Sequence, residues 1–214
     1  MKYKGIVFDL DGVICSTDRF HYLAWKHIAD GLGVHFDEQV NHRLRGVSRM
    51  ESLDIVLEPY PGTLSDAEKQ QLAEDKNSIY RESLAGMSPN DLTAEVSATL
   101  LALRAAGLKL AIGSSRKHAR YILERLGVQD FFDAVSDGTN IRLSKPHPEV
   151  FLMAADFIGL QPSECLVVED AAAGVEAAIR AGMDSAAVGD AVHCGKATYN
   201  LARFSELLTV VGVY

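Results

Sequence analysis

The sequence predicts an α/β fold, a doubly wound parallel sheet that carries an inserted α-helical cap domain. Two observations support this prediction. Short apolar runs bounded by Gly or Asp alternate with amphipathic segments along most of the chain, as in parallel strands that are covered by helices. Residues 17–85 interrupt the alternation with a helical pattern and show no clear strand pattern. A chain of 214 residues with 48% hydrophobic content can bury a core and hold such an insertion.

The first strand is predicted at residues 4–10, an apolar run that ends in acidic residues and glycine. Because successive positions of this run are apolar, it suits a strand that is buried on both faces at the centre of a sheet. The cap domain is assigned to residues 16–91, and the core domain to residues 1–15 and 92–214.

Helical patterns dominate the cap domain. Apolar residues recur at three-and-four spacing from Phe20 to Ile28, and Ser65-Asp-Ala-Glu68 is a capping box that begins another helix. The insertion follows the first strand immediately, and doubly wound folds bind their ligands beyond the carboxyl ends of the strands. We therefore expect the cap domain to lie over those ends and to serve as a lid.

The β-α alternation resumes after the cap domain. Strands are predicted at residues 108–112, 165–168 and 185–188, and helices from residue 92 to near Gly107 and at 119–126, 150–158, 171–181 and 204–208. This order of elements predicts a Rossmann-like sheet with helices on both faces. Residues that carry chemistry are expected where its strands end.

Charge and cysteine content exclude several classes of function. The 21 Lys and Arg residues against 29 Asp and Glu give a net charge of −8, so no basic surface for nucleic acid or membrane lipid is expected. Three cysteines without C-x-x-C spacing favour a reducing compartment. The chain enters a strand at once and contains no long apolar run. We expect a cytoplasmic protein, monomeric, whose partner is a small molecule.

Asp9 and Asp11 lie two residues apart at the end of the first predicted strand. Side chains alternate faces along a strand, so both carboxylates point the same way, an arrangement that packing alone rarely produces. Such a pair suggests a divalent cation, above all Mg²⁺, which prefers oxygen ligands. The alternative is a strand that ends in ordinary polar turn residues, with Asp-Gly as the turn.

Three further strand or loop ends supply polar groups. Ser114 follows the strand at 108–112, where a hydroxyl and backbone N–H groups at a helix start can hold phosphate oxygens. Lys145 precedes Pro146 in a turn that restricts its backbone, although a solvated surface lysine is the commoner case. Glu169-Asp170 ends another strand, and acid pairs at two strand ends strengthen the prediction of a metal site.

In order and spacing, these motifs resemble the four motifs of the haloacid dehalogenase-like phosphotransferases. The residues that carry the resemblance are Asp9-Leu-Asp11-Gly12, Ser114, Lys145-Pro146 and Glu169-Asp170. The resemblance implies that Asp9 attacks phosphorus and becomes an aspartyl phosphate, and that Asp11 is the general acid and base. It covers the whole of the predicted core.

The same resemblance implies roles for the remaining motif residues. Ser114 and Lys145 would bind the phosphoryl oxygens and offset their negative charge. Mg²⁺ would be held by Asp9, by the backbone carbonyl of Asp11, and by Asp170 with the aid of Glu169.

The predicted cap domain contains His21, Trp25, Lys26, Leu44-Arg-Gly46-Val47-Ser48-Arg49, Ser52-Leu53, Lys76-Asn77 and Ser88-Pro89. These residues resemble the cap of those phosphomutases of this family that act on glucose phosphates. The resemblance implies interconversion of β-D-glucose 1-phosphate and glucose 6-phosphate, through an aspartyl phosphate and glucose 1,6-bisphosphate, which also activates the enzyme. The substrate-binding residues that it implies are Thr17, His21, Trp25, Gly46, Val47, Arg49, Ser52 and Lys76 of the cap, with Ser115, Arg116 and Lys117 of the core. Arg49 would bind the phosphate that is not transferred, and Thr17 and His21 would act at the hinge.

Alternatives stay open for these residues. Arg49 could be a surface arginine at a helix start, Trp25 could belong to the core of the cap, and His21 could be an ordinary histidine of an amphipathic helix. Arg116 stands where these phosphomutases typically have serine, which leaves the preferred substrate open. A Mg²⁺-dependent sugar-phosphate phosphatase of the same fold is the alternative function. A non-catalytic binding protein would instead lack a catalytic carboxylate.

Overall fold

The computed structural model describes residues 2–44 and 48–213 of the chain. The chain divides into two compact units, one formed by Met1–Ser16 with Ser88–Tyr214 and the other by Thr17–Met87. We call them the sheet unit and the helical unit.

The sheet unit is built on a parallel sheet. Its strands are β1 (Gly5–Phe8), β2 (Lys109–Gly113), β3 (Ala134–Ser136), β4 (Cys165–Glu169), β5 (Asp184–Ala187) and β6 (Tyr199–Asn200). Their spatial order is β3-β2-β1-β4-β5-β6, and every neighbouring pair is parallel. The chain therefore winds outward from β1 in both directions, and the predicted doubly wound, Rossmann-like fold is confirmed.

Helices follow the strands in the sheet unit and make up the helical unit. They are α1 (Asp18–Gly31), α2 (Glu38–Arg43), α3 (Arg49–Val56), α4 (Asp66–Leu84), α5 (Ala94–Ala105), α6 (Ala119–Arg125), α7 (Glu149–Phe157), α8 (Ala172–Arg180) and α9 (Leu207–Val211). Short 3₁₀ helices occupy Pro89–Asp91, Pro162–Glu164, Gly189–His193 and Phe204–Glu206. No helix within the described residues is long and apolar enough to cross a membrane.

The register of the sheet aligns the strand ends that carry polar residues. Phe8 pairs with Ile112 of β2 on one side and with Val168 of β4 on the other. Asp9 therefore leaves the sheet level with Gly113 and Glu169. On one face, apolar residues of α7 and α8 pack against Val7 and its neighbours in β2 and β4, which buries the centre of the sheet.

The helical unit has its own apolar core, which includes Trp25, Leu53 and Ala73, all at most 3% exposed. The capping box predicted at the start of α4 is present. The Glu68 N–H donates to Ser65 Oγ at 3.3 Å, and the Ser65 N–H donates to Glu68 Oε2 at 2.7 Å. The first backbone N–H groups of α4 have no acceptor within the helix, so this capping box fixes where α4 begins.

Candidate active site

Asp9 lies immediately after β1 and is buried at 8% exposure. Its backbone N–H donates to the carbonyl of Val168 at 2.9 Å, which holds the residue beside β4. The Lys145 ammonium donates to Asp9 Oδ1 and, at 2.9 Å, to Glu169 Oε2. The three side chains are at most 11% exposed. One lysine thus bridges two carboxylates at the carboxyl edge of the sheet.

Asp170 completes an acidic cluster with Asp9 and Glu169, because one carboxylate oxygen from each lies within 4.8 Å of the others. Burial, together with the neighbouring Asp9, raises the pKa of Glu169 to about 8 and that of Asp170 to about 7. Burial also raises the pKa of Asp9, against the opposing effect of Lys145. For Lys145 itself, burial lowers the pKa, but the two carboxylates outweigh burial and raise it.

The acidic cluster fits a divalent cation such as Mg²⁺. Three carboxylates offer the oxygen ligands that such an ion prefers, and a bound ion would compensate their repulsion. Two glycines bring the backbone close enough to enclose them. A Cβ at Gly12 would lie 1.9 Å from Asp170 Oδ2, and one at Gly174 would lie 2.0 Å from Glu169 Cδ. Any larger residue at either position would displace a carboxylate of the cluster.

Ser114 and Ser115 lie at the end of β2, next to the same edge of the sheet. Ser114 is 1% exposed, and its N–H donates to the carbonyl of Ser136 at 3.0 Å. Ser115 Oγ accepts from the backbone N–H of Lys145 at 3.3 Å, just before the cis Lys145–Pro146 peptide bond. The hydroxyl of Ser115 therefore links the loop after β2 to the loop that carries the lysine.

Asp11 contacts a basic residue of the loop after β2. Arg116 Nη2 donates to Asp11 Oδ2 at 3.2 Å, and the Asp11 side chain is 19% exposed. Lys117, the next residue of that loop, is exposed. The structure therefore places the two aspartates of the first motif beside different cations, Asp9 beside Lys145 and Asp11 beside Arg116.

The end of β3 also carries polar residues, next to Ser114, and neither a strand nor a site residue was predicted there from the sequence. Asp137 is 1% exposed and accepts from the Thr139 N–H at 2.9 Å. It lies 3.8 Å from Arg120 Nε, and the Ser136 carbonyl binds Ser114. The signal was Ser-Asp-Gly after a short apolar run, the same pattern of an acid before glycine that marks the end of β1.

Three of the residues implied for the cap lie together in the helical unit. Lys76 is 4% exposed, and its Nζ is 2.7 Å from His21 Nδ1. The Nζ also lies 5.0 Å from the ring centroids of Trp25 and Tyr80. The His21 ring stacks on Tyr80 with centroids 4.1 Å apart. Trp25 is in addition a member of the apolar core of this unit.

The other residues implied for the cap lie at the start of α1, on α3 or outside the described residues. Thr17 is buried at the start of α1, where its carbonyl accepts from the backbone N–H groups of Phe20 and His21. Arg49 is the exposed first residue of α3, and Ser52 is buried within that helix. Gly46 and Val47 lie outside the described residues.

Comparison with known proteins finds both mutases and phosphatases. The sequence profile of the haloacid dehalogenase-like hydrolases matches residues 3–182. A β-phosphoglucomutase of Bacillus subtilis is 40% identical over 189 residues, 87% of this chain and 83% of that protein. A fructose-1-phosphate phosphatase of Escherichia coli is 31% identical over 185 residues, 86% of this chain and 95% of that protein. The crystal structure of a β-phosphoglucomutase from Clostridium difficile has a TM-score of 0.81 at 35% identity, covering 98% of this chain and 96% of that one.

Proposed function

The chain belongs to the haloacid dehalogenase-like hydrolase family, and from that premise we propose that it is a phosphomutase that interconverts β-D-glucose 1-phosphate and glucose 6-phosphate. The observation that carries the proposal is the buried Asp9 carboxylate, held by Lys145 within a cluster of acids that fits a divalent cation. The 40% identity to a β-phosphoglucomutase supports the choice of reaction.

In the proposed mechanism, Asp9 is the nucleophile. Its carboxylate attacks phosphorus, and the product is an aspartyl phosphate. Lys145 and Ser114 bind the phosphoryl oxygens, which reduces the repulsion between the attacking carboxylate and the anionic phosphate. Mg²⁺ held by Asp9, the backbone carbonyl of Asp11, Glu169 and Asp170 would supply further positive charge to the same oxygens.

Asp11 moves the proton that each transfer requires. When phospho-Asp9 meets glucose 1-phosphate, the 6-hydroxyl gives its proton to Asp11 and its oxygen bonds to phosphorus, while the bond from phosphorus to Asp9 breaks. The resulting glucose 1,6-bisphosphate turns over in the site. Asp9 then takes the phosphate from the 1-position, and Asp11 returns the proton to the leaving oxygen.

In the proposed mechanism, the helical unit would bind the sugar that accepts the phosphate. As a lid, it would limit attack by water and favour a sugar hydroxyl as the acceptor. Arg49 would bind the phosphate that is not transferred, a task that suits a guanidinium because its N–H groups match phosphate geometry. Lys76 and Trp25 would line the sugar. The proposal describes a cytoplasmic monomer that acts on small sugar phosphates.

A second candidate is a Mg²⁺-dependent sugar-phosphate phosphatase of the same fold. The similarity to a fructose-1-phosphate phosphatase at 31% identity, and to a phosphorylated carbohydrates phosphatase of Thermotoga maritima at 29%, favours it. The chemistry up to the aspartyl phosphate is common to both candidates. They differ in whether a sugar hydroxyl or water accepts the phosphate.

The deciding experiment supplies the protein with Mg²⁺, β-D-glucose 1-phosphate and a trace of glucose 1,6-bisphosphate, and follows glucose 6-phosphate and inorganic phosphate together. A mutase forms glucose 6-phosphate with little free phosphate. Release of phosphate without formation of glucose 6-phosphate would contradict the mutase proposal and support the phosphatase. Arg49→Ala should slow the mutase cycle more than the hydrolysis of a small ester without a second phosphate, and equal slowing would remove Arg49 from the distal phosphate site.

A further inference from the structure

The ion pair between Arg116 and Asp11 joins two segments of the sheet unit that lie 105 residues apart in the sequence. Its length is 3.2 Å, and the arginine side chain is 46% exposed while the aspartate side chain is 19% exposed. The resemblance to phosphomutases implies that the loop after β2, which carries Arg116, contacts substrate. In the structure, the Arg116 guanidinium instead donates to Asp11, whose carboxylate transfers the proton in the proposed mechanism.

The backbone of Arg116 is held on two sides. Its N–H donates to Ser114 Oγ at 3.3 Å, and its carbonyl accepts from the Gly138 N–H at 3.1 Å. Gly138 packs so closely that a Cβ there would lie 2.6 Å from the Ser115 carbonyl oxygen. The guanidinium therefore extends from a backbone that both β2 and the loop after β3 keep in place.

We propose that Arg116 is a positioning residue for Asp11. By holding Oδ2, the guanidinium restricts the rotation of the Asp11 side chain and so sets where its other oxygen lies for proton transfer. This inference rests on the proposed function, because it takes Asp11 as the general acid and base. It differs from a role in binding the distal phosphate, since it applies equally to substrates that have no second phosphate.

Each half of the reaction moves one proton through Asp11. Asp11, as the carboxylic acid, gives its proton to the ester oxygen while the bond from that oxygen to phosphorus breaks and the bond from Asp9 to phosphorus forms. Asp11 is left as a carboxylate on Arg116. In the second half, the acceptor hydroxyl returns a proton to Asp11 while its oxygen bonds to phosphorus and the bond to Asp9 breaks.

The test compares two substrates without a second phosphate, p-nitrophenyl phosphate and glycerol 2-phosphate. The nitrophenolate leaves without a proton, whereas the glycerol alkoxide needs one. Arg116→Gln should lower kcat/KM for glycerol 2-phosphate by about 10- to 100-fold and change it for p-nitrophenyl phosphate by less than about threefold. Arg116→Lys should restore part of the lost activity, because it retains a cation on a shorter reach.

Arg180→Gln is the matched control. Arg180 also pairs with one carboxylate, Glu176, at 3.1 Å, and its side chain is 52% exposed, but it lies on α8 outside the proposed site. This variant should leave kcat/KM unchanged for both substrates. An equal loss on both substrates in Arg116→Gln, or no loss on either, would overturn the positioning role.

A double-mutant cycle separates action through Asp11 from independent action. If Arg116 acts through Asp11, Arg116→Gln should cause no further loss on glycerol 2-phosphate once Asp11 is replaced by Asn. Losses that multiply would refute the proposal. Failure of the proposed mutase function looks different, because the unaltered protein would then release phosphate from β-D-glucose 1-phosphate without forming glucose 6-phosphate, whereas failure of the Arg116 assignment leaves the formation of glucose 6-phosphate intact.

Discussion

Two glutamates, one in each unit, show how position decides what an ion pair does. Glu169 at the edge of the sheet accepts from Lys145 at 2.9 Å, and Glu58 in the helical unit accepts from Arg43 at 2.5 and 2.8 Å. The hydrogen bonds from Arg43 hold the pKa of Glu58 below its usual value. The pKa of Glu169 is raised to about 8, because burial and the neighbouring Asp9 outweigh its lysine.

The difference teaches that burial, and not the presence of a cationic partner, separates the candidate active site from the surface. The Glu58 side chain is 52% exposed and that of Glu169 is 1% exposed. Water solvates the exposed pair, so such pairs contribute little to stability. The buried carboxylates can be balanced only by groups close to them, which favours a lysine and a divalent cation in that place.

The largest expected effect comes from removing the buried nucleophile. Asp9→Asn should abolish the aspartyl phosphate and lower turnover by at least about 10⁴-fold, since an amide cannot replace a nucleophilic carboxylate. Mass spectrometry after incubation with Mg²⁺ and acetyl phosphate measures the phosphoenzyme. Asp54→Asn, which removes an exposed carboxylate paired with Lys69, should leave it unchanged. A phosphoenzyme that persists in Asp9→Asn would move the nucleophile elsewhere.

Removing the cation from each pair tests the contrast in stability. Lys145→Met should lower the free energy of unfolding by about 3–5 kcal/mol at about pH 8 without metal, because it leaves Asp9 and Glu169 buried without their shared cation. Arg43→Met should leave the unfolding midpoint unchanged, because solvent replaces the lost partner of Glu58. Urea denaturation measures both variants. Equal losses would show that the two pairs are energetically alike.

The pH dependence of stability should separate the buried acids from the exposed ones. Because the pKa values of Glu169 and Asp170 are raised to about 8 and about 7, the folded protein holds protons that the unfolded chain releases at lower pH. The free energy of unfolding of the metal-free protein should therefore fall as pH rises from about 5 to about 8. Glu58, whose pKa is lowered, has the opposite sign, and its contribution is lost only as the pH falls below that window.

Metal binding supplies the control for this pH dependence. Mg²⁺ competes with protons for the carboxylates, so it should raise the melting temperature more at about pH 8 than at about pH 5. Asp170→Asn should flatten the pH profile between those values and weaken the effect of Mg²⁺. An unaltered profile in that variant would assign the pH dependence to other groups, such as the histidines.

The smallest effect expected is a pair of glycine substitutions. Gly174→Ala should destabilise the protein by about 1–3 kcal/mol and weaken Mg²⁺ binding, because the new Cβ would lie 2.0 Å from Glu169 Cδ. Gly31, at the end of α1, has open space around it, so Gly31→Ala should be neutral or slightly stabilising. Thermal melting and a Mg²⁺ titration measure both. Two neutral substitutions would mean that α8 can move away from Glu169 freely.

Short strands were beyond the reach of sequence patterns. The predicted bounds of β1, β2, β4 and β5 lie within two residues of those observed, because each is an apolar run long enough to recognise. No strand was predicted at β3 (Ala134–Ser136) or β6 (Tyr199–Asn200), which have three and two residues. Segments of two or three residues are too short to show a hydrophobic period. They form strands because their backbones pair with the exposed edges of β2 and β5.

The sequence alone determined the fold class, the capping box that begins α4 and the polar residues at the strand ends, because these depend on local patterns and on the rule that parallel strands end at one edge. Only the tertiary structure decided which charges meet. Lys145 reaches Asp9 across 136 positions of the chain, and Arg116 reaches Asp11 across 105. Pairing across such distances depends on strand order, register and burial, which are properties of the packed molecule and leave no periodic trace in the chain.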